Sequence, residues 1–282
     1  MIKEKAYAKV NLGLEVVKRT KKNYHKLRMV MTQIELYDEI CFEENDEIVV
    51  EMDKPVCKME DNLCYKVATY LKKKYGVHKG VRIYIKKNIP EGGGLGGGSS
   101  DAATVLKGLN KFWCLGLSQR KLKKIGFMFG CDIPFFLEGN ISYVSGYGEK
   151  IKPIRVKEKN DNIILVIPAF KNSTKTIFEN HVIVKRSVKN TKKLIKKIKY
   201  SDYKEAIFNE LETSANKCSG NKIEKIKQLI KRSGYKNVIM TGSGSTIVVY
   251  LDEFQNVDDA ISVLNKTIDN CLLVKTKLKM YT

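Results

Sequence analysis

Apolar and polar residues alternate strictly along 81–86, Val-Arg-Ile-Tyr-Ile-Lys, and predict a half-buried strand running on to Ile89. Ala6 to Val17 predicts another strand, in which a period of two sets Lys9 and Asn11 on one face. Met29 to Tyr37 and Glu39 to Met52 predict two strands of a meander. The period then lengthens: Leu63, Val67 and Leu71 share a helix face, with Asp61 as the expected N-cap and Gly76 as the C-cap. A second helix follows Ser118, with Leu122, Ile125 and Phe129 on one side. Strands at Ile141 to Val144 and Ile151 to Val156 bracket a turn at Gly146-Tyr147-Gly148. Further on come a strand at Ile163 to Ile167, a helix at Ile223 to Ile230, strands at Asn237 to Met240 and Ile247 to Leu251, a helix at Val257 to Thr267 and a strand at Cys271 to Leu278. Their order is close to βαββαβ, the ferredoxin-like arrangement.

Between the strand ending at Ile89 and a helix opening at Ala102 lies PEGGGLGGGSSDAA, Pro90 to Ala103, with six glycines. Glycine lets backbone approach a ligand and turn its N–H groups inward. A helix start adds unpaired N–H groups and the positive end of the dipole, and Ser99 and Ser100 add hydroxyls there. The parts make a cradle for a phosphate-bearing ligand. Gly92, Gly94 and Gly97 satisfy G-x-G-x-x-G, but the acidic residue that a dinucleotide fold needs about 20 positions on is missing. The preceding strand also alternates, where a central parallel strand is continuously apolar. The loop has no lysine for a Walker motif and no valine for a protein-kinase loop. A flexible linker would not sit tightly between a strand and an apolar helix.

From the residues alone, Lys9 reads as an exposed edge lysine and Tyr24-His25 as ordinary turn sequence between strands. Lys87 at the mouth of the glycine loop is exposed or meets phosphate. Asp132, followed by apolar Ile133, Phe135 and Phe136, is poorly placed for a surface residue and reads as the cap of the turn starting at Pro134. Thr241-Gly242-Ser243-Gly244-Ser245-Thr246 reads as a tight glycine turn in a hairpin. Asp101 suits a helix start but adds negative charge beside phosphates.

The 282 residues, 43% of them hydrophobic, suffice for two domains with a buried core. No apolar run reaches 18 residues, and the amino end lacks a signal-peptide apolar region. Seven scattered cysteines without a C-x-x-C pair argue against disulfides or a zinc site, and for a cytoplasmic location. Lysine and arginine exceed aspartate and glutamate by 52 to 31, a net charge of +21. The lysines are dispersed, and the densest run, Lys185 to Lys199, fits an amphipathic helix with a solvated face. With no nucleic-acid motif present, the charge points to no nucleic-acid or membrane partner, though its field helps to draw in polyphosphates.

PEGGGLGGGSSDAA resembles the central motif of the GHMP small-molecule kinases, and within them the branch whose substrate is a methylerythritol carrying a cytidine diphosphate group. Ala8-Lys9-Val10-Asn11-Leu12, Gly130-Cys131-Asp132-Ile133-Pro134 and Thr241 to Thr246 are similar to further motifs of that family, so the likeness covers nearly the whole chain. It implies an α+β fold, with an N-terminal half like ribosomal protein S5 domain 2 (1–158, ATP-binding) and a ferredoxin-like C-terminal half (159–282). It implies ATP and Mg²⁺ as cofactors, phosphorylation of the substrate's 2-hydroxyl in non-mevalonate isoprenoid precursor synthesis, and a monomer or homodimer. Asp132 is then the catalytic base and Lys9 the cation that keeps it ionised and offsets charge on the phosphoryl group. ATP is held by Pro90, Gly92, Gly93, Gly94, Leu95, Gly96, Gly97, Gly98, Ser99 and Ser100, with Asn62 and Lys87. The substrate is held by Asn11, Tyr24, His25, Thr174, Phe178, Gly242, Ser243 and Gly244, with Tyr24 and Phe178 as plates about a cytosine. Asn23 stands where the family has glycine, a small loss because Asn also tolerates positive φ. Phe178 as plain core is the other reading. No residue is implied as a protein metal ligand. The same motifs leave a homoserine or mevalonate kinase as an alternative, and the +21 charge leaves an RNA-binding protein on an S5-like fold.

Overall fold

The computed structural model describes residues 1–20, 24–55, 57–156, 161–183, 189–200 and 202–280. Its strands are β1 (Ile2–Arg19), β2 (His25–Glu43), β3 (Ile48–Met52), β4 (Val81–Lys86), β5 (Ser142–Gly146), β6 (Lys150–Pro153), β7 (Asn162–Pro168), β8 (Phe208–Asn209), β9 (Val238–Met240), β10 (Ile247–Tyr250) and β11 (Cys271–Lys279). Its helices are α1 (Leu63–Tyr75), α2 (Gly97–Phe112), α3 (Gln119–Phe129), α4 (Ile133–Glu138), α5 (Thr174–Glu179), α6 (Lys189–Tyr200), α7 (Glu212–Cys218), α8 (Lys222–Arg232) and α9 (Val257–Thr267). Both kinds of element alternate through the chain, so the class is α+β. No described helix is long and apolar enough to cross a membrane.

The elements gather into two compact units. The first is Met1–Ala8, Leu36–Ile89 and Gly96–Gly139; the second is Lys9–Glu35, Pro90–Leu95 and Asn140–Thr282. Strands β1 and β2 therefore supply residues to both. The division expected at 158/159 falls on residues 157–160, outside the described residues, as does Asn23.

In the first unit β4 runs parallel to β3, from Ile48↔Val81 to Met52↔Ile85, and antiparallel to β2, from Glu39↔Lys86 to Glu43↔Arg82. Its alternation is realised fully: Val81, Ile83 and Ile85 are buried and Arg82, Tyr84 and Lys86 exposed. Helix α2 buries Ala102, Ala103, Val105, Leu106 and Leu109. The break expected at Asp38 is absent, and β2 runs straight through it. The reason is that the carboxylate of Asp38, 0% exposed, accepts hydrogen bonds from the backbone N–H groups of Asn88 and Ile89 at 2.5 and 2.8 Å. Paired in this way, a buried acid no longer marks a chain break. Helix α1 also starts one residue later than expected. Asp61 closes a short 3₁₀ turn, and Asn62 is the cap, its side-chain oxygen accepting from Cys64 N at 2.8 Å. Gly76 ends it at φ +63°, as expected.

In the second unit β7 lies between β10 and β11, antiparallel to both, and is buried from Ile163 to Pro168. Strand β9 extends this sheet beyond β10. Strand β11 continues to β2 at Leu278↔Ile34, and β2 pairs with β5 from Leu27↔Gly146 to Met31↔Ser142. The two-residue β8 pairs in parallel with β1 at Gly13↔Phe208 and Leu14↔Asn209. Such a short strand carries no periodicity from which sequence could mark it.

Candidate active site

Strand β1 is buried on both faces, so Lys9 and Asn11 are only 4% and 1% exposed. Lys9 is therefore no edge lysine. Its ammonium donates to Asn11 Oδ1 at 2.7 Å, and Asn11 N donates to Thr241 Oγ1 at 2.9 Å. The Asn11 amide nitrogen Nδ2 is buried and has no acceptor among the described residues. A buried donor without a partner costs about 1–3 kcal/mol, and a bound ligand oxygen would remove that penalty.

The first half of the glycine loop packs against the second glycine turn within the same unit. Lys9 N donates to Leu95 O at 3.0 Å, and Thr246 N donates to Gly93 O at 3.3 Å. At Gly94, φ is +78° and a Cβ would lie 2.7 Å from the Thr241 carbonyl oxygen. At Gly242, φ is +58° and a Cβ would lie 3.1 Å from Gly94 O and 3.2 Å from Lys9 Nζ. Only glycine meets both conditions, positive φ and no room for a side chain. The two loops thus touch through bare backbone directly beside the Lys9 ammonium. Leu95 is buried and Pro90 half-buried, while Gly92 is exposed.

Asn209 fastens this arrangement from β8, and sequence reasoning missed it. Its Nδ2 donates to Met240 O at 2.7 Å and to Gly242 O at 2.8 Å, while its Oδ1 accepts from Leu211 N at 3.0 Å. A lone asparagine among Phe208, Glu210 and Leu211 has no local signal. Only its long-range bonds disclose a role.

Thr174 and Phe178, expected at the substrate, lie on α5. Ser173 caps that helix by accepting from Thr176 N at 3.3 Å. The Thr174 hydroxyl lies 2.7 Å from that of Ser243, tying α5 to the second glycine turn. Phe178 is half-buried, not plain core, and its ring centroid is 5.0 Å from that of His25 at an interplanar angle of 36°. Tyr24 is 61% exposed and meets Tyr147 edge-on at 6.2 Å. In this structure, therefore, Phe178 faces His25 and Tyr24 faces Tyr147. His25 Nε2 is buried without a partner among the described residues, and burial, then the Arg19 charge, lowers its pKa. His181 lies close by, its Nδ1 3.0 Å from Ser214 Oγ. Its pKa is lowered by burial and then by His25.

In the first unit Gly96, at φ +74°, is the N-cap of α2, and Gly97, Gly98, Ser99 and Ser100 form its first turn. A Cβ on Gly98 would meet nothing within 4 Å, so space is open over the helix start. The Ser100 hydroxyl is engaged, donating to Tyr7 O at 2.6 Å. Lys87 is not exposed either. Its ammonium, 7% exposed, donates to Asp38 at 2.5 Å and Asp101 at 2.6 Å, and lies 3.6 Å from where a Gly97 Cβ would be. It sits beneath the helix start and not at its mouth. Asn62, as the cap of α1, has its side-chain oxygen engaged, with Nδ2 3.5 Å from Met52 Sδ. Asp132 precedes α4 at its N-cap position, half-buried, and its side chain makes no capping bond. The cap therefore does not account for its carboxylate.

The family profile described as GHMP kinases N terminal domain matches residues 62–140. A 4-diphosphocytidyl-2-C-methyl-D-erythritol kinase of Clostridioides difficile (strain 630) is 37% identical over 269 residues, 92% of this chain and 89% of that protein. The chain belongs to this family of GHMP kinases. A crystal structure of a 4-(cytidine 5'-diphospho)-2C-methyl-D-erythritol kinase superposes on this member with a TM-score of 0.79 at 26% identity, covering 99% of both chains. A homoserine kinase from Cytophaga hutchinsonii superposes at 0.75 with 15% identity over 99% of this chain and 95% of its own, a likeness of fold alone. The chain is thus an enzyme, a kinase acting on a small molecule, with the GHMP kinase fold.

Proposed function

We propose that this kinase transfers the γ-phosphoryl group of ATP to the 2-hydroxyl of 4-diphosphocytidyl-2-C-methyl-D-erythritol, a step of non-mevalonate isoprenoid precursor synthesis in the cytoplasm. The substrate follows from the names of the relatives. The observation that carries the site is the orphaned Asn11 Nδ2 beside the Lys9 ammonium, where two glycine turns meet through bare backbone. Asp132 accepts the proton of the attacking hydroxyl. The substrate oxygen bonds to the γ-phosphorus as the bond to the β–γ bridging oxygen breaks, and ADP leaves. Lys9 and backbone N–H groups offset the negative charge that builds on the transferred group, since phosphoryl transfer depends on positioning and electrostatics. Tyr24, His25 and Phe178 take the cytosine, and Thr174, Gly242, Ser243 and Gly244 the remainder of the substrate.

Among the described residues no three His, Cys, Asp or Glu side chains converge as a metal cage. Mg²⁺ enters with the triphosphate as its counter-ion. The test is ATP turnover with the cytidylylated substrate against bare methylerythritol, homoserine and mevalonate. Turnover dependent on the cytidine group is expected, and equal rates without it would sink the proposal. Asp132→Asn is expected to abolish turnover while ATP still binds. Near-normal turnover removes Asp132 from its role.

A further inference from the structure

Beneath the start of α2 lies a charged group that the reaction does not use. Asp38, Lys87 and Asp101 are 0%, 7% and 4% exposed. Two carboxylates face one ammonium, so the fully ionised group carries one surplus negative charge. Asp38 is saturated: its Oδ1 accepts from Asn88 N and Ile89 N, and its Oδ2 from Lys87. Asp101 is not. Its Oδ2 accepts from Lys87 at 2.6 Å, but its Oδ1 is buried with no donor within reach among the described residues. Ionised, that oxygen shares a desolvated negative charge and has no donor of its own, and protonation of the carboxyl removes the charge. The surroundings offer no other relief. Asp53 accepts from Lys87 N at 2.8 Å, and Lys54 donates to Lys87 O at 3.2 Å, both on the backbone of Lys87. The thiol of Cys64 is buried nearby, pushed up by burial and then by Asp101, with Cys57 beyond it.

We propose that Asp101 is a positioning residue for the nucleotide phosphates that acts by holding a proton on Oδ1. This rests on the reading of the α2 start as the phosphate site. With the proton in place, the group under the helix start is neutral, and the unpaired N–H groups of the first turn attract phosphate unopposed. With the proton lost, a net negative charge lies under the same turn and opposes the anion. Burial first, with Asp38 adding and Lys87 opposing, pushes the Asp101 carboxyl up to about 7, so the proton exchanges near neutrality.

The test is ADP affinity of wild-type protein and Asp101→Asn by calorimetry, from about pH 6 to about pH 8.5. Titration of ADP itself is common to both and cancels in the comparison. Wild-type affinity is expected to fall, relative to the variant, by about tenfold, the effect of a unit charge roughly 10 Å away at an effective dielectric of about 20. Parallel profiles with binding intact overturn the coupling alone. Absence of ADP binding to wild type overturns both the coupling and the phosphate reading. Should Asp101→Asn not fold, the carboxyl carbon shift of Asp101 in wild type decides. A midpoint near neutrality is expected, and one below about 5 overturns the proposal.

Discussion

Asn209 makes three side-chain hydrogen bonds, two donated to Met240 O and Gly242 O at 2.7 and 2.8 Å and one accepted from Leu211 N at 3.0 Å. Asn209→Ala deletes all three and leaves two carbonyls and one N–H without partners in a site that is 8% exposed. Each bond contributes about 1 kcal/mol net, and each stranded buried group adds up to about 1–3 kcal/mol. Partial entry of water reduces the total, so a loss of about 3 kcal/mol is expected from denaturant midpoints at constant slope. Asn209→Asp is the sharper probe. It is nearly isosteric and keeps the bond from Leu211 N, but sets a carboxylate oxygen against two carbonyl oxygens. It is therefore expected to be worse than Ala at neutral pH. The repulsion raises the folded pKa of the new carboxyl above its unfolded value of about 3.9. The variant is thus most stable below that unfolded value and loses stability as pH rises through the folded pKa. Because Gly242 lies beside Lys9, kcat should fall in both variants more than KM for ATP rises. Asn209→Ala within about 0.5 kcal/mol of wild type, or Asp milder than Ala at neutral pH, would refute the reasoning.

Further outcomes follow from other geometry. Gly94→Ala puts a Cβ 2.7 Å from a carbonyl oxygen at φ +78°, and kcat/KM is expected to fall at least about tenfold, measured by coupled ATP turnover. Asn62→Ala removes a helix cap and should cost about 1 kcal/mol in thermal or denaturant unfolding, with Asn62→Asp nearly neutral. A large rise in KM for ATP without loss of stability would instead make Asn62 a nucleotide ligand. The lowered pKa values of His25 and His181 favour their neutral forms in the folded state. The stability they contribute is present above about pH 6.5 and is lost as pH falls through the folded values. Unfolding of wild type and His181→Gln against pH should show the variant with the flatter acid limb. Lys9→Ala should lower kcat at least about a hundredfold, and Lys9→Met, which keeps most of the volume, should do no better.

Sequence alone marks what local chemistry determines. The period of β4, the caps Gly76 and Ser118, and the glycine loop followed by α2 are legible because each signal lies within a few residues of its effect. The roles of Lys9, Asn11 and Asp132 rest on resemblance and not on a local signal. Tertiary structure alone decides where side chains point and what they meet. Asp38 reads as a break between strands, yet it lies inside β2, because its partners are backbone groups 50 and 51 residues away. Lys87 reads as a phosphate ligand, yet two acids from distant segments hold it beneath the loop. Asn209 carries no local signal, although it ties β8 to the second glycine turn. The physical reason is the same in each case. A buried polar group must find its partner wherever packing brings one, and the free energy of that pairing depends on distance in space, not along the chain.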